Sequence, residues 1–572
     1  MKHKSKICLL MVVVMALGML SGCGNQTTQV TDSTQETTPK TENANAAEVL
    51  SAAEDARLKE ELQKDIDAIL NTETEIVHSD TFIPGETYTG TAYYVSNDGD
   101  DNNDGLTPET AWQTISKLAQ EAGGWEREGV LKPGDAVFFR RGDIFRDQNF
   151  HLGTDGLTFS AYGEGEKPIF TTSSENGSGR EKWELIYDDN TGKKIWKFYR
   201  DMSDVSRLIL NDGEAITTRI YEFYDGNGYI SCEATGWWMH EAEGVTLLDT
   251  LFPLEDSMIE DLTIISRPER FEGWDYIDCG VGPLYLRCDS GNPGEMFDSI
   301  EFTEYAMSPN IYLCASNCVF DNISFRCNGK SYIQPDKWKE VQNTVIQNCE
   351  FAYGGGTVTF YHEREDGALV VEVQGDGIYN IVRNTTIQNN YFHDGATSSA
   401  TYEGDNFDDK DAVDGYFHYW DNVSVNTIGI RLDSSADALK YLDSVQICGN
   451  QVWNTGRMDN GKYIYSEGAL ALLDFNNYGE CIIEDNVFYG TEKGGEGFAV
   501  NGLLNLPSYD YDYYAQYTKP QMQNNIYAQY SDRDFALYLY HSAETWAMDD
   551  PELLTKAAEL LGDTTSKFYI IP

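Results

Sequence analysis

The sequence predicts an all-β fold in which short strands wind into a solenoid. A short phrase recurs, each copy alternates apolar and polar residues, and each contains an asparagine at a similar place. The copies are VFDNISFRCNG (Val319–Gly329), VIQNCEFAYGG (Val345–Gly355), TIQNNYFHDG (Thr386–Gly395), QICGNQVWNTG (Gln446–Gly456), IIEDNVFYG (Ile482–Gly490) and QMQNNIYAQ (Gln521–Gln529). Alternation indicates strands, and variable spacing between copies is typical of solenoid coils that carry loops of different lengths.

The asparagines of these phrases predict tight bends, because asparagine adopts left-handed backbone angles and bonds its own backbone. The predicted bend positions are Asn322, Asn348, Asn390, Asn450, Asn486 and Asn525.

The beginning of the chain has the pattern of a secreted, lipid-anchored protein. Lysines precede an apolar run, Ile7–Met19, that is too short to span a bilayer. The next four residues, Leu-Ser-Gly-Cys, resemble a bacterial lipobox, so residues 1–22 are predicted to be a signal peptide and Cys23 to be lipidated. Polar residues 23–45 predict a disordered tether. Residues 46–80 predict a helical stalk with one apolar stripe, a helix that either packs on the solenoid or lengthens the stalk. We therefore expect an extracytoplasmic protein that reaches the bacterial membrane through its lipid anchor alone.

Composition narrows the possible partners. The formal net charge of −53 argues against nucleic acid and against anionic membrane surfaces. The 36 tyrosines and 11 tryptophans supply flat faces that suit sugars as well as solenoid stacks. No CxxC pair is present, so the cysteines in and near the phrases are predicted to be small core residues. A monomer that binds a polysaccharide or oligosaccharide is the expectation.

The entry to the domain carries a family resemblance. YYVSNDGDDNNDGLTPETAW (Tyr93–Trp112), LKPGDAVFFRRGD (Leu131–Asp143) and SAYGEGEKPIF (Ser160–Phe170) resemble the entry strand, capping helix and first coil of secreted bacterial parallel β-helix proteins. With the recurring phrases, they make the chain similar to the pectin-lyase-like superfamily. The resemblance implies a right-handed parallel β-helix. It leaves the activity open, since the superfamily includes hydrolases, lyases, epimerases and non-catalytic adhesins.

The remaining chain divides into three predicted parts. Residues 81–171 form the N-terminal cap and first coils, with a helix predicted over Thr110–Gln120 that begins after Thr107 and Pro108. Residues 172–305 interrupt the repeat and read as a β-rich insertion. Residues 306–572 form the main β-helix and end in a helical cap over Asp549–Leu561. Two segments, His362–Gly377 and Ala396–Ser424, are predicted to leave it as loops, where binding and chemistry usually occur.

Aligning the phrases suggests a site. Equivalent residues of stacked coils lie about 4.8 Å apart, and the alignment places His393 level with Arg326, Ala352, Trp453 and Tyr489. Paired carboxyls with an orienting cation could cleave a glycosidic bond. The predicted catalytic residues are Asp376, His393, Asp394, Asp433 and Glu467. The predicted substrate-binding residues are Tyr353, Trp420, Arg431 and Trp453.

Three functions remain open at this point. The carboxyls and aromatic residues favour a cell-surface glycoside hydrolase, which needs no cofactor. The resemblance also admits a calcium-dependent polysaccharide lyase, and the acidic segment could supply Ca²⁺ ligands. Those predicted ligands are Asp405, Asp408, Asp409 and Asp411. A non-catalytic glycan-binding or adhesive solenoid is the third possibility.

Overall fold

The computed structural model describes residues 47–572, apart from internal gaps. The gaps are 74, 124–128, 147–149, 189, 191, 220–222, 225–229, 232–259, 267–269, 273–276, 306–309, 330, 336–340, 356, 364–368, 375–382, 396–399, 404–414, 428, 434–442, 457–467, 474–478, 492–502, 507–518, 531–535 and 540–542.

Two long parallel sheets run the length of the domain. Sheet 1 has ten strands: Ala92–Val95, Ala136–Arg140, Thr158–Tyr162, Val319–Asp321, Thr344–Gln347, Thr385–Gln388, Tyr416–Trp420, Ser444–Cys448, Glu480–Glu484 and Gln521–Gln523. Sheet 2 has eleven: Ile144–Arg146, Ile169–Thr171, Ser324–Arg326, Glu350–Ala352, Tyr391–His393, Val423–Val425, Gln451–Thr455, Val487–Thr491, Ile526–Tyr530, Lys567–Ile571 and Glu48–Val49. Successive coils contribute neighbouring strands, so the prediction of an all-β solenoid is confirmed.

A third side completes each coil. Sheet 3 has six strands: Ala400–Glu403, Ile430–Asp433, Leu470–Leu473, Leu504–Leu506, Leu537–Leu539 and Glu544–Trp546. The early coils have a separate third sheet: Phe150–Leu152, Ile311–Leu313 and Ile333–Pro335. The chain passes from sheet 1 to sheet 2 to the third side. Apolar residues from all three sides fill the interior, with stacked aromatic rings such as Phe325, Phe351 and Phe392 along the axis.

The loop predicted over Ala396–Ser424 is wrong in part. It contains the strand Ala400–Glu403 of sheet 3 and the strand Tyr416–Trp420 of sheet 1. Strand Val423–Val425 then adds a rung to sheet 2 between His393 and Trp453. The phrase alignment otherwise has the observed register, in which Arg326, Ala352 and His393 pair on successive rungs.

In the later coils, the bends lie one residue earlier than the sequence indicates. Asn322 and Asn348 have φ near 59° and 53°, as predicted. In the later coils the left-handed residue is the one before the predicted position, as with Asn389 (φ 53°) and Asp485 (φ 57°). The predicted asparagines of those coils are instead buried inside the turn: Asn390, Asn450, Asn486 and Asn525, joined by Asn422.

These buried asparagines form a hydrogen-bonded ladder. The backbone N–H of each asparagine donates to the amide oxygen of the next rung, for example Asn422 to Asn450 Oδ1 (2.9 Å) and Asn450 to Asn486 Oδ1 (2.9 Å). At the end of the ladder, the N–H of Asn525 donates to the Ser566 hydroxyl instead. Each side-chain amide also donates to a carbonyl of the preceding coil, as Asn450 does to Tyr419 (2.8 Å). The ladder satisfies polar groups that the two-residue turns between sheets 1 and 2 would otherwise bury without partners.

The N-terminal segment packs on the solenoid, which is one of the two arrangements that its apolar stripe allows. Ser51 caps the helix Ala52–Leu70, its hydroxyl accepting from the Glu54 N–H. Before this helix, Glu48–Val49 pairs in parallel with the last strand of sheet 2. The helix then crosses the outer face of sheet 2, where Leu58 is buried against Trp453 and Tyr489. It thereby covers one side of the molecule. A short pair, Val77–His78 with Thr87–Tyr88, follows.

The insertion has its own core and sheets. Its strands are Trp183–Asp188, Lys194–Phe198, Val205–Leu210, Ala215–Ile216, Thr218–Arg219, Phe223–Tyr224, Ile230–Ser231, Thr263–Ser266, Arg270–Glu272, Ile277–Cys279, Leu284–Arg287 and Ile300–Glu304. The predicted hairpin near His362–Gly377 comprises Thr357–Glu363 and Leu369–Gln374, and it pairs with Ile277–Cys279. The solenoid and the insertion therefore meet at this hairpin.

The other helices are short. Thr107 caps a 3₁₀ turn, Pro108–Thr110, and the α-helix begins later, at Ile115–Glu121, so the predicted Thr110–Gln120 helix starts too early. The remaining helices are Pro293–Met296 and Leu553–Leu561, with 3₁₀ turns at Arg180–Lys182 and Asn211–Gly213. None of the described helices is both long and apolar enough to cross a membrane. The hand of the solenoid and the capping role of these helices stay predictions.

Candidate functional site

The structure separates the predicted site residues onto different sides of the solenoid. His393 and Trp453 lie in sheet 2, and Tyr353 and Asp394 in the turns that follow it. Trp420 lies in sheet 1, and Arg431 and Asp433 lie in sheet 3. Asp376, Glu467 and the four predicted calcium ligands, Asp405, Asp408, Asp409 and Asp411, fall outside the described residues, as does Cys23.

Sheet 3 brings ionisable residues into register. Ile430 and Leu432 are buried, and Arg431 between them is partly exposed. Alternation along the strand therefore assigns Arg431 to the outer face. On the adjacent rung, Thr401 pairs with Arg431 and Glu403 pairs with Asp433. Two carboxyl residues therefore occupy neighbouring positions, with backbones about 4.8 Å apart.

Glu403 is a candidate that the sequence interpretation missed. It was assigned to a long acidic loop, although the alternation in ATYE, just before the acidic run, was a strand signal. Its pairing with Asp433 shows that this segment belongs to the same sheet.

Connection lengths distinguish the borders of sheet 3 from the border between sheets 1 and 2. From the fourth strand of sheet 1 onward, each turn to sheet 2 contains two residues. The connections into and out of sheet 3 contain as many as fourteen, for example between Thr455 and Leu470. Long loops on a rigid scaffold commonly carry binding and chemistry. The outer face of sheet 3 is therefore the candidate site.

A second ionisable cluster lies in sheet 2. Arg326 donates to Glu350 (2.9 Å), and Ser324 donates to the same carboxylate. The other oxygen of Glu350 lies 3.1 Å from Nε2 of His393, and Nδ1 of His393 lies 2.8 Å from Asp394. The cluster alternates positive and negative groups across three rungs.

Electrostatics favour the charged forms of both Glu350 and His393 in this cluster. Burial opposes ionisation of Glu350, but Arg326, together with hydrogen bonds from His393 and Ser324, holds the pKa of Glu350 well below its usual range. Burial likewise opposes the charged form of His393, yet its bonds to Asp394 and Glu350 raise the pKa of His393 to about 9. Glu350 therefore does not supply the protonated carboxyl that a glycosidase needs. Both nitrogens of the predicted catalytic His393 are occupied, which favours a structural role.

Two predicted sugar platforms are covered by protein. Trp453 is buried beneath the N-terminal helix and stacks on Tyr489 at 4.0 Å. Tyr353 is buried against the insertion, and its hydroxyl donates to the Asp212 carbonyl (3.3 Å). Distant segments therefore pack against both rings, the N-terminal helix on Trp453 and the insertion on Tyr353. Their assignment as sugar platforms stays a prediction. Trp420 is partly exposed, but one of its faces stacks on His418 at 4.2 Å.

Neither metal ligands nor cysteines contribute to the candidate site among the described residues. Within the described part of the chain, no three His, Cys, Asp or Glu residues converge in a way that could hold a metal ion. The predicted calcium ligands lie outside that part. The seven described free cysteines are buried, except for the partly exposed Cys448, so they fit a packing role.

Comparisons with known proteins link the chain to carbohydrate enzymes. No protein-family model matches it. It is 34% identical over 141 residues to a lacto-N-biosidase of Bifidobacterium longum subsp. longum, a match that covers 23% of this chain and 8% of that protein. The chain thus spans less than a tenth of the length of this relative.

Solved structures that resemble the chain include a complex of XylC with xylose, at 11% identity and a TM-score of 0.38, covering 78% of this chain and 72% of the other. A lacto-N-biosidase from Eubacterium ramulus has 12% identity and a TM-score of 0.30, covering 84% and 68%. A rhamnogalacturonan lyase has 10% identity and a TM-score of 0.30, covering 80% and 85%.

Proposed function

We propose that this protein is a carbohydrate-active enzyme that hydrolyses glycosidic bonds at the outer face of sheet 3. The observation that carries the proposal is the in-register pairing of Glu403 with Asp433, beside Arg431. Hydrolysis requires two carboxyls, and separations near 5 Å suit a retaining mechanism with a covalent intermediate. The local identity to a lacto-N-biosidase supports the same class of reaction.

The residues would divide the chemistry as follows. One carboxyl of the Glu403–Asp433 pair attacks the sugar, and the other protonates the leaving oxygen and later activates water. Arg431 on the same face orients a carboxylate or a sugar hydroxyl. Glu467, which precedes the next strand of sheet 3, and Asp376 are the reserve candidates for the acid.

One observation keeps the lyase as a second candidate. The acidic run that includes Asp405 and Asp411 follows directly after Glu403. A calcium ion held there would neutralise a uronate carboxylate beside the same face. Non-catalytic glycan binding is the outcome if neither reaction occurs.

The test uses the soluble chain from residue 24 onward. It is incubated with lacto-N-biose-terminated oligosaccharides, xylo-oligosaccharides and rhamnogalacturonan, with and without a chelator. New reducing ends without ultraviolet absorbance, unchanged by chelation, support hydrolysis. An unsaturated product that disappears on chelation supports the lyase. Sugar binding without either product would overturn both enzymatic assignments.

We also propose that the protein is a monomer, displayed outside the cell and held by a lipid on Cys23. The net charge of −53 supports attachment by the lipid rather than by electrostatic contact with anionic membranes or nucleic acid. The Cys23→Ser variant should appear in the medium or remain unprocessed. Continued partitioning of that variant into the detergent phase would contradict the anchor.

A further inference from the structure

The chain has a cleft of about 1270 Å³ on the side away from sheet 3. It opens over the outer faces of sheets 1 and 2 in the early coils. Its walls are residues 70–73, which follow the N-terminal helix, the turn Gly163–Lys167, and Asp212 of the insertion. Ser324, Arg326 and Glu350 form part of its floor. Three distant parts of the chain thus converge on one concave surface, and its volume exceeds that of a typical small-molecule pocket.

The floor offers donors and acceptors in fixed positions. Arg326 uses Nε and Nη2 on Ser324 and Glu350, and among the described residues its Nη1 has no partner. Lys167 is only 4% exposed and lies 2.5 Å from the side-chain oxygen of Asn322. A lysine that is buried this deeply keeps two further N–H groups for other acceptors.

Aromatic residues line the sheet 1 side of the cleft. Tyr94 packs edge-on against Tyr162 at 5.1 Å and stacks on Phe138 at 5.9 Å, and Tyr88 contacts Phe138 edge-on at 5.7 Å. Tyr94 and Tyr162 are partly exposed. Such rings present apolar faces and hydroxyl tips, a combination that matches the C–H faces and hydroxyls of sugars.

The charge at the rim selects against anionic ligands. Glu73, Glu164, Glu166 and Asp212 surround the opening, and three of the lining residues, Arg141, Lys167 and Arg326, are cationic. Arg141 already donates to the carbonyls of Gly165 and Thr72. A neutral polyol uses donors and acceptors together, whereas a polyanion would meet repulsion at the rim.

We propose that this cleft is a second binding site for a neutral oligosaccharide, separate from the outer face of sheet 3. The class of ligand rests on the proposed function, but the site itself does not depend on any hydrolysis. Such a site would hold one part of a glycan against the solenoid while another part of the same glycan reaches sheet 3.

Binding can be measured without turnover. Isothermal titration of the Asp433→Asn chain with xylotetraose, cellotetraose and a lacto-N-biose-terminated tetrasaccharide should identify at least one ligand. Tyr162→Ala should then weaken binding roughly tenfold, the order expected for losing one aromatic contact. Tyr199→Ala provides the control, since Tyr199 is 56% exposed and does not line the cleft.

Two further measurements keep the test decisive. Lys167→Met preserves the side-chain volume while it removes the charge, and it should weaken oligosaccharide binding. It therefore tests the cleft even if Tyr162→Ala lowers the melting temperature. In the otherwise native chain, Tyr162→Ala should leave turnover of a small chromogenic glycoside unchanged. The proposal that the cleft binds an oligosaccharide is overturned if no tetrasaccharide binds, or if binding is unaffected by Tyr162→Ala and Lys167→Met. A bound ligand without any glycosidase activity would sink only the proposed function.

Discussion

Sheets 2 and 3 are built from the same coils, yet they present opposite kinds of surface. Sheet 2 is entered through two-residue turns, carries an internal asparagine ladder along its border with sheet 1, and is covered by the helix Ala52–Leu70. Sheet 3 is flanked by longer connections, and its strands pair Thr401 with Arg431 and Glu403 with Asp433. The two sides therefore differ in what covers them rather than in strand geometry.

The difference shows how a solenoid separates stability from function. On the sheet 2 side, the buried asparagines of the ladder are paired, and Trp453 and Tyr489 are buried. Substitutions of these residues should change the free energy of unfolding. On the sheet 3 side, buried Ile430 and Leu432 hold the strand that carries Asp433, a residue of the proposed catalytic pair. Substitutions on that side should change turnover with little effect on folding.

The largest expected effect is on turnover at sheet 3. Asp433→Asn or Glu403→Gln should lower the turnover number at least about a thousandfold, because each removes a group that carries the transition state. The melting temperature should stay within a few degrees of the parent, as is usual for surface substitutions. Glu544→Gln, at an exposed carboxyl on the last strand of the same sheet, is the matched control. If both variants retain more than a tenth of the activity, the site lies elsewhere.

The next largest effect should come from the ladder beside sheet 2. Asn450→Ala removes the acceptor for the backbone N–H of Asn422 and the donor to the Tyr419 carbonyl. Leaving such groups buried without partners should cost about 3–5 kcal/mol in the free energy of unfolding. Denaturant titration measures this loss.

Asn524→Gly is the control variant for Asn450→Ala. Asn524 is exposed and has φ near 56°, an angle that glycine adopts readily, so stability should hardly change. Equal losses for Asn450→Ala and Asn524→Gly would mean that the turn, rather than the buried ladder, provides the stability.

A smaller effect is expected where the N-terminal helix contacts sheet 2. Leu58→Ala should cost about 2–4 kcal/mol, because Leu58 is buried against Trp453 and Tyr489. The fluorescence of Trp453 should shift toward that of a solvent-exposed indole if the helix detaches. Lys64→Ala changes an exposed position of the same helix and should leave both measurements unaltered. Unchanged stability of Leu58→Ala would show that the helix is only loosely docked.

The sequence predicted much of the fold because a solenoid repeats its local rules. The phrase spacing and the alternation locate most strands of sheets 1 and 2. The strand Val423–Val425 is not predicted from the sequence, because it follows the acidic segment, whose composition suggests a loop. The shift of one residue in the later bends has a similar origin, since a pair such as Asn389–Asn390 offers two residues that tolerate the bend.

The candidate site was less predictable because burial depends on distant segments. Trp453 is covered by a helix that lies almost four hundred positions earlier in the chain, and Tyr353 by the insertion. A single sequence gives the register of a side chain within the solenoid, but it does not show which external segment packs over that rung. The pairing of Glu403 with Asp433 likewise appears only once the strand Ala400–Glu403 is recognised.

The smallest effect should be the pH dependence of stability that His393 contributes. Its ordinary pKa of 6.5 is raised to about 9 in the folded chain, where burial is outweighed by Asp394 and Glu350. A pKa raised by folding adds stability that is complete below pH 6.5 and is lost as the pH rises through 9. The free energy of unfolding of the parent minus that of His393→Gln should therefore depend on pH. We expect this difference to be about 1–3 kcal/mol larger at pH 6 than at pH 10. Denaturant titrations of both proteins at the two pH values give this double difference, which cancels the titration of other groups. A difference that does not vary with pH would show that His393 stays neutral, and the alternating charges of the sheet 2 cluster would then have to be reassigned.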